Sequence, residues 1–485
     1  MKEHNHWIDG ADIAPRDGLR LERYSPANGR PIAAVALGTV DDIDAAVTAA
    51  RRAFDTGNWT RMGGNARGEV LGRLADLMQA NLEALARLEA EEAGKPIKAA
   101  RMEIGVSIGL TRYAASLAWN ITGRLMSDAG PEKLGFVMHQ PRGVAGLIVA
   151  WNYPVLCLMQ KLPYALAAGC SVVIKPSEFT AGTTLMIARL ATEAGVPDGQ
   201  MNVVIGTGDV VGEAMTSHPG IDMISFTGSS KIGKRVAIKC AENFKACSLE
   251  LGGKGSNIIF ADADLDLAVE ATYQGFTFNK GEECCSCARI LIEEPAARIF
   301  TQKLVARCAK AKLGAPLDED TDVGPMIHPQ QMERVLGYIA KGKAEGARLL
   351  VGGERATGSG LDNGCFVPPT LFTDVKTDMT IFQEEIFGPV ACIMPFTSVD
   401  EAITIANDTE YGLANGVWTS NIDKAMAVMR RLRSGMVYVN TYFETLTQLP
   451  LGGMKQSGIG HENGLEGLQE FLETRSAFVK LKTRF

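Results

Sequence analysis

Three short stretches hold residues whose types and spacing could do chemistry. The first is Asn279-Lys280-Gly281-Glu282-Glu283-Cys284-Cys285-Ser286-Cys287. Its glycine and polar approach put Cys284 on an exposed loop, where a thiolate could attack an electrophile; an isolated cysteine is otherwise a small buried hydrophobe. Cys284-x-x-Cys287 also matches half a zinc site or a redox pair. Zinc needs further ligands at similar spacing, and the six histidines stand apart, so no metal is expected. Cys285 or Cys287 could trap an oxidised Cys284 as a reversible disulfide, or simply pack. The second stretch, Ser248-Leu249-Glu250-Leu251-Gly252-Gly253, sets a glutamate between leucines. Apolar flanks raise a carboxyl toward a useful general-base value; the alternative is a surface carboxylate at a domain-junction turn.

The third stretch joins a strand-like run, Met223 to Thr227, to Gly228-Ser229-Ser230-Lys231-Ile232-Gly233 and a helix. Backbone N–H groups at a helix start suit phosphate. Gly228-x-x-x-x-Gly233-Lys234 follows most of a P-loop, yet Arg235 stands where Ser or Thr must reach magnesium, and no Gly-x-Gly-x-x-Gly occurs. On these residues alone, phosphate binding and a tight turn are equally good readings.

Alternating strands and helices must position these groups. Apolar residues from Val70 to Leu88 fall on one helical face, with Gly94 and Pro96 as the stop. Gly143–Ala150, Ser171–Ile174, Asn202–Ile205 and Met223–Thr227 read as strands, with helices over Pro163–Gly169 and Ala181–Ala194. The alternation resumes with strand Ser256–Phe260, helix Leu265–Phe278, strand Arg289–Ile292 and helix Ala296–Ala311. This pattern predicts two α/β domains with mainly parallel sheets, joined near residues 250–255. The run from Phe471 predicts an edge strand that needs a partner.

Composition narrows the function classes. The chain has 485 residues, 46% hydrophobic and 22% charged, which excludes wholesale disorder. With 49 basic and 56 acidic residues the net charge is −7, and no basic stripe marks a nucleic-acid partner. Ten cysteines are too few for a disulfide scaffold, and the amino terminus shows no secretory signal. Gly143–Trp151, the most apolar stretch, stops at Asn152, well short of the ~20 residues a spanning helix needs. The expectation is a reduced, cytoplasmic protein with no membrane partner.

Together the stretches resemble the aldehyde dehydrogenase superfamily over nearly the whole chain. The resemblance rests on the glutamate and cysteine motifs and on Trp151-Asn152-Tyr153-Pro154, Lys175-Pro176-Ser177-Glu178, Phe226-Thr227-Gly228-Ser229, Glu384-Glu385-Ile386-Phe387-Gly388-Pro389 and Gly452-Gly453-Met454-Lys455-Gln456-Ser457-Gly458. It implies two doubly wound α/β domains, Rossmann-like for the cofactor and a second for catalysis, plus a small β oligomerisation element. The implied division is 1–119 and 142–252 for NAD, 253–450 for catalysis, 120–141 and 470–485 for assembly into a dimer or tetramer, and 451–469 returning beside the active site.

The resemblance implies that Cys284 attacks an aldehyde, that the Asn152 amide and the Cys284 N–H hold the oxyanion, and that hydride loss leaves a thioester. Glu250 would activate water to release the acid, with Lys161 and Glu462 relaying the proton. Ala150, Trp151, Lys175, Ser177, Glu178, Gly208, Phe226, Thr227, Gly228, Ser229, Leu251, Glu385 and Phe387 would hold the cofactor. A carboxylate at Glu178 favours NAD over NADP, because it repels a 2′-phosphate. The implied pocket is Tyr153, Gln160, Cys285, Phe443, Glu444 and Leu451.

The carboxyl-terminal motifs look nearest to the betaine aldehyde and aminoaldehyde branch. Gln160 and Leu451, however, stand where that branch has tryptophans to hold a trimethylammonium group. An ω-amino or other cationic aldehyde with Glu444 as counter-charge is the expectation, against a solvated loop glutamate; a betaine-like or general aliphatic aldehyde is the alternative substrate. Rival readings are a coenzyme A-acylating member, which usually lacks the Glu250 base, and a non-catalytic homologue.

Overall fold

A computed structural model of the chain describes residues 2–482. Two large sheets dominate it. The first has eight strands in the order Gly458–Ile459, Ala246–Glu250, Met223–Thr227, Val144–Ile148, Ser171–Lys175, Met201–Val203, His6–Ile8 and Ala11–Ile13. The five from Ala246–Glu250 to Met201–Val203 run parallel. Helices cover both faces, so Val144–Ile148 and Ser171–Lys175 are buried throughout and read as continuous apolar runs. Their residues still alternate: Ala145, Leu147, Val172 and Ile174 enter one core, and Val144, Ile148 and Val173 enter another.

The chain lays down Val144–Ile148, Ser171–Lys175 and Met201–Val203 outward in one direction, then returns to place Met223–Thr227 and Ala246–Glu250 on the other side of Val144–Ile148. The helices on either side of that reversal diverge, leaving a crevice beyond the carboxyl ends of Val144–Ile148 and Met223–Thr227.

The second sheet has seven strands in the order Arg348–Val351, Thr370–Thr373, Val390–Phe396, Arg289–Glu293, Ser256–Ile259, Ala414–Trp418 and Met436–Val439. All pairs are parallel except the first. The chain leaves Glu250 at the carboxyl end of one sheet and enters Ser256 at the amino end of the other. Ser256 lies in register with Arg289. Glu250, six residues before Ser256, and Cys284, five before Arg289, are therefore delivered to the same layer between the sheets. Strand Leu472–Lys480 pairs antiparallel with Lys133–Pro141, which pairs with Arg124–Met126. It is an edge strand as expected; residues 483–485 of the expected assembly element lie outside the described residues.

The structure corrects one element. The periodic run from Val70 is two helices, Gly64–Ala80 and Leu82–Ala93, broken at Asn81, whose side-chain amide donates to the Leu77 carbonyl at 2.9 Å. Gly94 stops the second in left-handed backbone, as expected. Among the described residues no helix is long and apolar enough to cross a membrane.

Candidate active site

The crevice is lined by the turns that follow three neighbouring parallel strands. Past Val144–Ile148 come Ala150, Trp151, Asn152 and Tyr153; past Met223–Thr227 come Gly228 and Ser229; past Ala246–Glu250 comes Leu251. These line one cavity of about 350 Å³ with Gln160, Thr227, Glu250, Cys284, Cys285, Glu385, Phe387, Phe443, Leu451 and Glu462. Lys175 ends the next strand, and Ser177, Glu178 and Gly208 follow that strand and the one beyond it, without lining this cavity; Phe226 is buried in the core. Glu444 is exposed and outside the lining, contrary to expectation; Phe443, in left-handed backbone, reaches the cavity instead.

The cysteine loop owes its shape to three consecutive left-handed residues, Asn279, Lys280 and Gly281. A Cβ on Gly281 would stand 2.3 Å from the Gly388 backbone, so only glycine fits. Gly253 is held for a different reason: its Cβ would stand 2.3 Å from the Cys284 carbonyl oxygen, which shows how closely the two motifs approach. Lys280 and Glu282 are fully buried, with Nζ 2.8 Å from Oε2; Lys280 also donates to the Ala93 carbonyl, and the Ile327 N–H donates to Glu282 Oε1. Removing one partner strands the other charge, so Lys280→Ala is expected to cost about 3–5 kcal/mol. A thermal scan at fixed rate checks this, and Lys280→Met with Glu282→Leu should lose less than either single alanine.

Asn152 is buried and donates from its side-chain amide to the Glu282 carbonyl at 3.1 Å, leaving a second amide N–H. The Asn279 amide fixes the Asn152 backbone by donating to its carbonyl at 2.8 Å. Cys284 is half-buried, its Sγ 3.8 Å from Glu283 Oε1. Hydrogen bonding with the Cys285 thiol and burial push the Cys284 thiol up, so at rest it keeps its proton. Burial pushes Glu250 up to about 8, against the pull of Lys161, and its buried Oε1 has no partner among the described residues. Behind them Lys161, lowered to about 8 by burial, donates to Thr227 Oγ1 at 2.6 Å and pairs with Glu462.

Groups on the far side could hold a cofactor. Glu385, raised to about 7 by burial, accepts the Gly253 N–H at 3.0 Å. Phe387 adopts left-handed backbone and meets Trp151 edge-on at 5.3 Å. Ser229 caps helix Ser230–Glu242, accepting the Ile232 N–H.

Known proteins bear on this arrangement. The sequence profile of the aldehyde dehydrogenase family matches residues 13–477. The chain belongs to this family. Aldehyde dehydrogenase family 2 member C4 of Arabidopsis thaliana is 40% identical over 477 residues, covering 98% of this chain and 94% of the relative. The betaine aldehyde dehydrogenase of Bacillus subtilis is 39% identical over 476 residues, 98% of this chain and 97% of the relative, in keeping with the branch resemblance. The crystal structure of an NAD-dependent aldehyde dehydrogenase from Sinorhizobium meliloti superposes with a TM-score of 0.97 at 40% identity, covering 100% of this chain and 96% of the other.

Sequence reasoning missed several residues of this aldehyde dehydrogenase. Glu283 and Glu103 line the cavity, as do Phe278 and Tyr438. Glu283 stands inside the cysteine motif, where a glutamate beside a thiol has no spacing signal to mark it as part of a pocket. Glu103 comes from a helix distant in sequence and is neutralised by Lys95, which also pairs with Glu89 at 2.7 Å. Lys95 Nζ sits 4.2 Å from the centre of the Tyr153 ring. Cys287, one of the two suggested traps, is fully buried with its thiol on the Thr272 carbonyl; Cys285 lines the cavity.

Proposed function

We propose that the enzyme oxidises a cationic aldehyde, such as an ω-aminoaldehyde, to the acid with NAD as its cofactor. The observation carrying the substrate class is Glu283, whose carboxyl lines the cavity beside Cys284. A trimethylammonium cage finds little support: Lys95 already occupies one face of Tyr153, and Gln160 and Leu451 offer no ring. Glu283→Gln is expected to lower the ratio of kcat/KM for 3-aminopropanal over propanal by about tenfold. Glu444→Gln should leave it unchanged, and the reverse result would restore Glu444.

The residues fit NAD. Gly228 lets the chain pass where a Cβ would meet the Phe226 ring at 2.5 Å, so Ser229 and the helix start face the crevice where a pyrophosphate would lie. Glu385 would accept ribose hydroxyls, as would Glu178, which Lys175 steadies from 3.3 Å. Bound NAD supplies the hydride acceptor. At the other end the Cys284 thiol gives up its proton to solvent in the cavity as Sγ adds to the aldehyde carbon, and the Asn152 amide and the Cys284 N–H meet the oxyanion. Once hydride has left, Glu250 takes a proton from water as it attacks the thioester, and Lys161 and Glu462 carry that proton outward. The specificity constant for NAD should exceed that for NADP by about tenfold or more, and a preference for NADP would overturn this assignment.

The passage between sheets near 250–255 supports the division into cofactor and catalytic domains. The edge strand Leu472–Lys480, with Phe478 66% exposed, supports assembly into a dimer or tetramer.

A further inference from the structure

The proposed oxidation uses Cys284 as nucleophile and Glu283 toward the substrate, and leaves Cys285, the third member of their cluster, without a role. Glu283, Cys284 and Cys285 each offer one ligand atom, and those atoms all lie within 4.8 Å of one another. Around a tetrahedral zinc ion, with Zn–S about 2.3 Å and Zn–O about 2.0–2.2 Å, donors stand about 3.5–3.8 Å apart. Cys284 Sγ and Glu283 Oε1 already stand at 3.8 Å. Side-chain adjustment is enough to close the set on one ion.

The backbone under the cluster is fixed. The Cys285 N–H donates to Glu283 Oε1 at 3.3 Å, and Tyr442 donates its hydroxyl proton to the Cys285 carbonyl at 2.9 Å. All three residues line the cavity, so an ion has a route in and a fourth position for water. Two thiolates and a carboxylate are a borderline-soft donor set, matched to zinc and poorly matched to magnesium or calcium. The cysteine spacing in the sequence suggests Cys287 as second ligand, but its sulfur is buried against Thr272. The partner is the neighbouring Cys285.

We propose that Glu283, Cys284 and Cys285 form a binding site for a thiophilic divalent cation such as zinc, whose occupancy covers the nucleophile and reversibly switches the enzyme off. Binding forms two Zn–S bonds and one Zn–O bond while the two thiol protons pass to solvent. Nothing is oxidised, and removal of the ion with return of two protons restores the free thiol. The effect on turnover rests on Cys284 being the nucleophile; binding itself does not.

The test uses the full chain, stripped of metal by a chelator and titrated with zinc chloride. Alkylation of Cys284 by iodoacetamide, followed by peptide mass mapping, reads the site without turnover. One zinc per chain should bind, slow Cys284 alkylation at least tenfold and abolish NADH production, with a chelator reversing both. Glu283→Gln and Cys285→Ser should each raise the zinc concentration for half-protection about tenfold or more, with unchanged thermal melting showing the fold intact. Equal protection of wild type and both variants would reduce the site to a single thiol and overturn the proposal. So would equal protection by magnesium chloride, or no protection at all. Protection without any aldehyde turnover in metal-free protein would leave the site standing and count against the proposed function.

Discussion

Cys284→Ala is expected to lower aldehyde oxidation by about 10⁴-fold or more, because the variant lacks the thiol assigned to form the covalent adduct and residues that act as one unit fail together. The loss should appear in kcat, with NAD binding retained, since the groups assigned to the cofactor stand at the strand ends of the first sheet and in the loop at residues 385–387, outside the cysteine loop. Cys284 is half-buried, and its thiol makes only weak sulfur hydrogen bonds, with Cys285 and with Glu283 Oε1 at 3.8 Å, so alanine should cost no more than about 1 kcal/mol of stability. A steady-state assay beside a thermal melt separates lost chemistry from lost folding. Iodoacetamide should then modify Cys284 in the wild type, as read by peptide mass mapping, with that adduct missing from the variant. Turnover retained in Cys284→Ala would shift the nucleophile to Cys285, the neighbouring thiol that lines the cavity.

The parallel strands were legible because a strand covered on both faces writes itself as an unbroken apolar run between turns. Met223–Thr227 was read with its observed limits, and Val144–Ile148 and Ser171–Lys175 to within a residue or two. Helix periodicity misled at Asn81, where two helices share one buried face and the pattern continues across the break. The site was legible wherever a residue sits in a motif at a strand's carboxyl end, as Asn152, Glu250 and Ser229 do. It was illegible where a cavity wall comes from a distant helix. Lys95 reaches Tyr153, and Glu103 the cavity, only through packing, and their pattern reads as ordinary helix charge. Glu444 shows the opposite failure: its place beside Phe443 suggested the pocket, but a left-handed residue at 443 redirects the chain and leaves the carboxylate in solvent.

Glu250→Gln should have opposite effects on activity and on stability. Glutamine fills the same space but takes no proton from water, so hydrolysis of the thioester should slow by about 10²–10⁴-fold while its formation continues. Rapid mixing with NAD and aldehyde should then show one NADH per chain in a burst, followed by a slow phase. In the wild type the deacylating base is the ionised carboxylate, and burial holds that carboxyl up to about 8. Deacylation should therefore rise with pH through about 8 and level off above it, a limb that Glu250→Gln loses. Stability runs the other way. The unfolded chain releases this proton near the ordinary carboxylate value and the folded chain keeps it up to about 8, so between those values the folded state binds more protons and loses stability as pH rises. Glutamine needs no proton to be neutral, so the variant should melt higher than wild type at pH 8, with the gap closing toward acid pH. A variant that loses the burst as well would move Glu250 from deacylation to the thiol proton that must leave before Cys284 attacks. A variant that melts lower at every pH would show that the ionised carboxylate is held by Lys161 strongly enough to outweigh its burial.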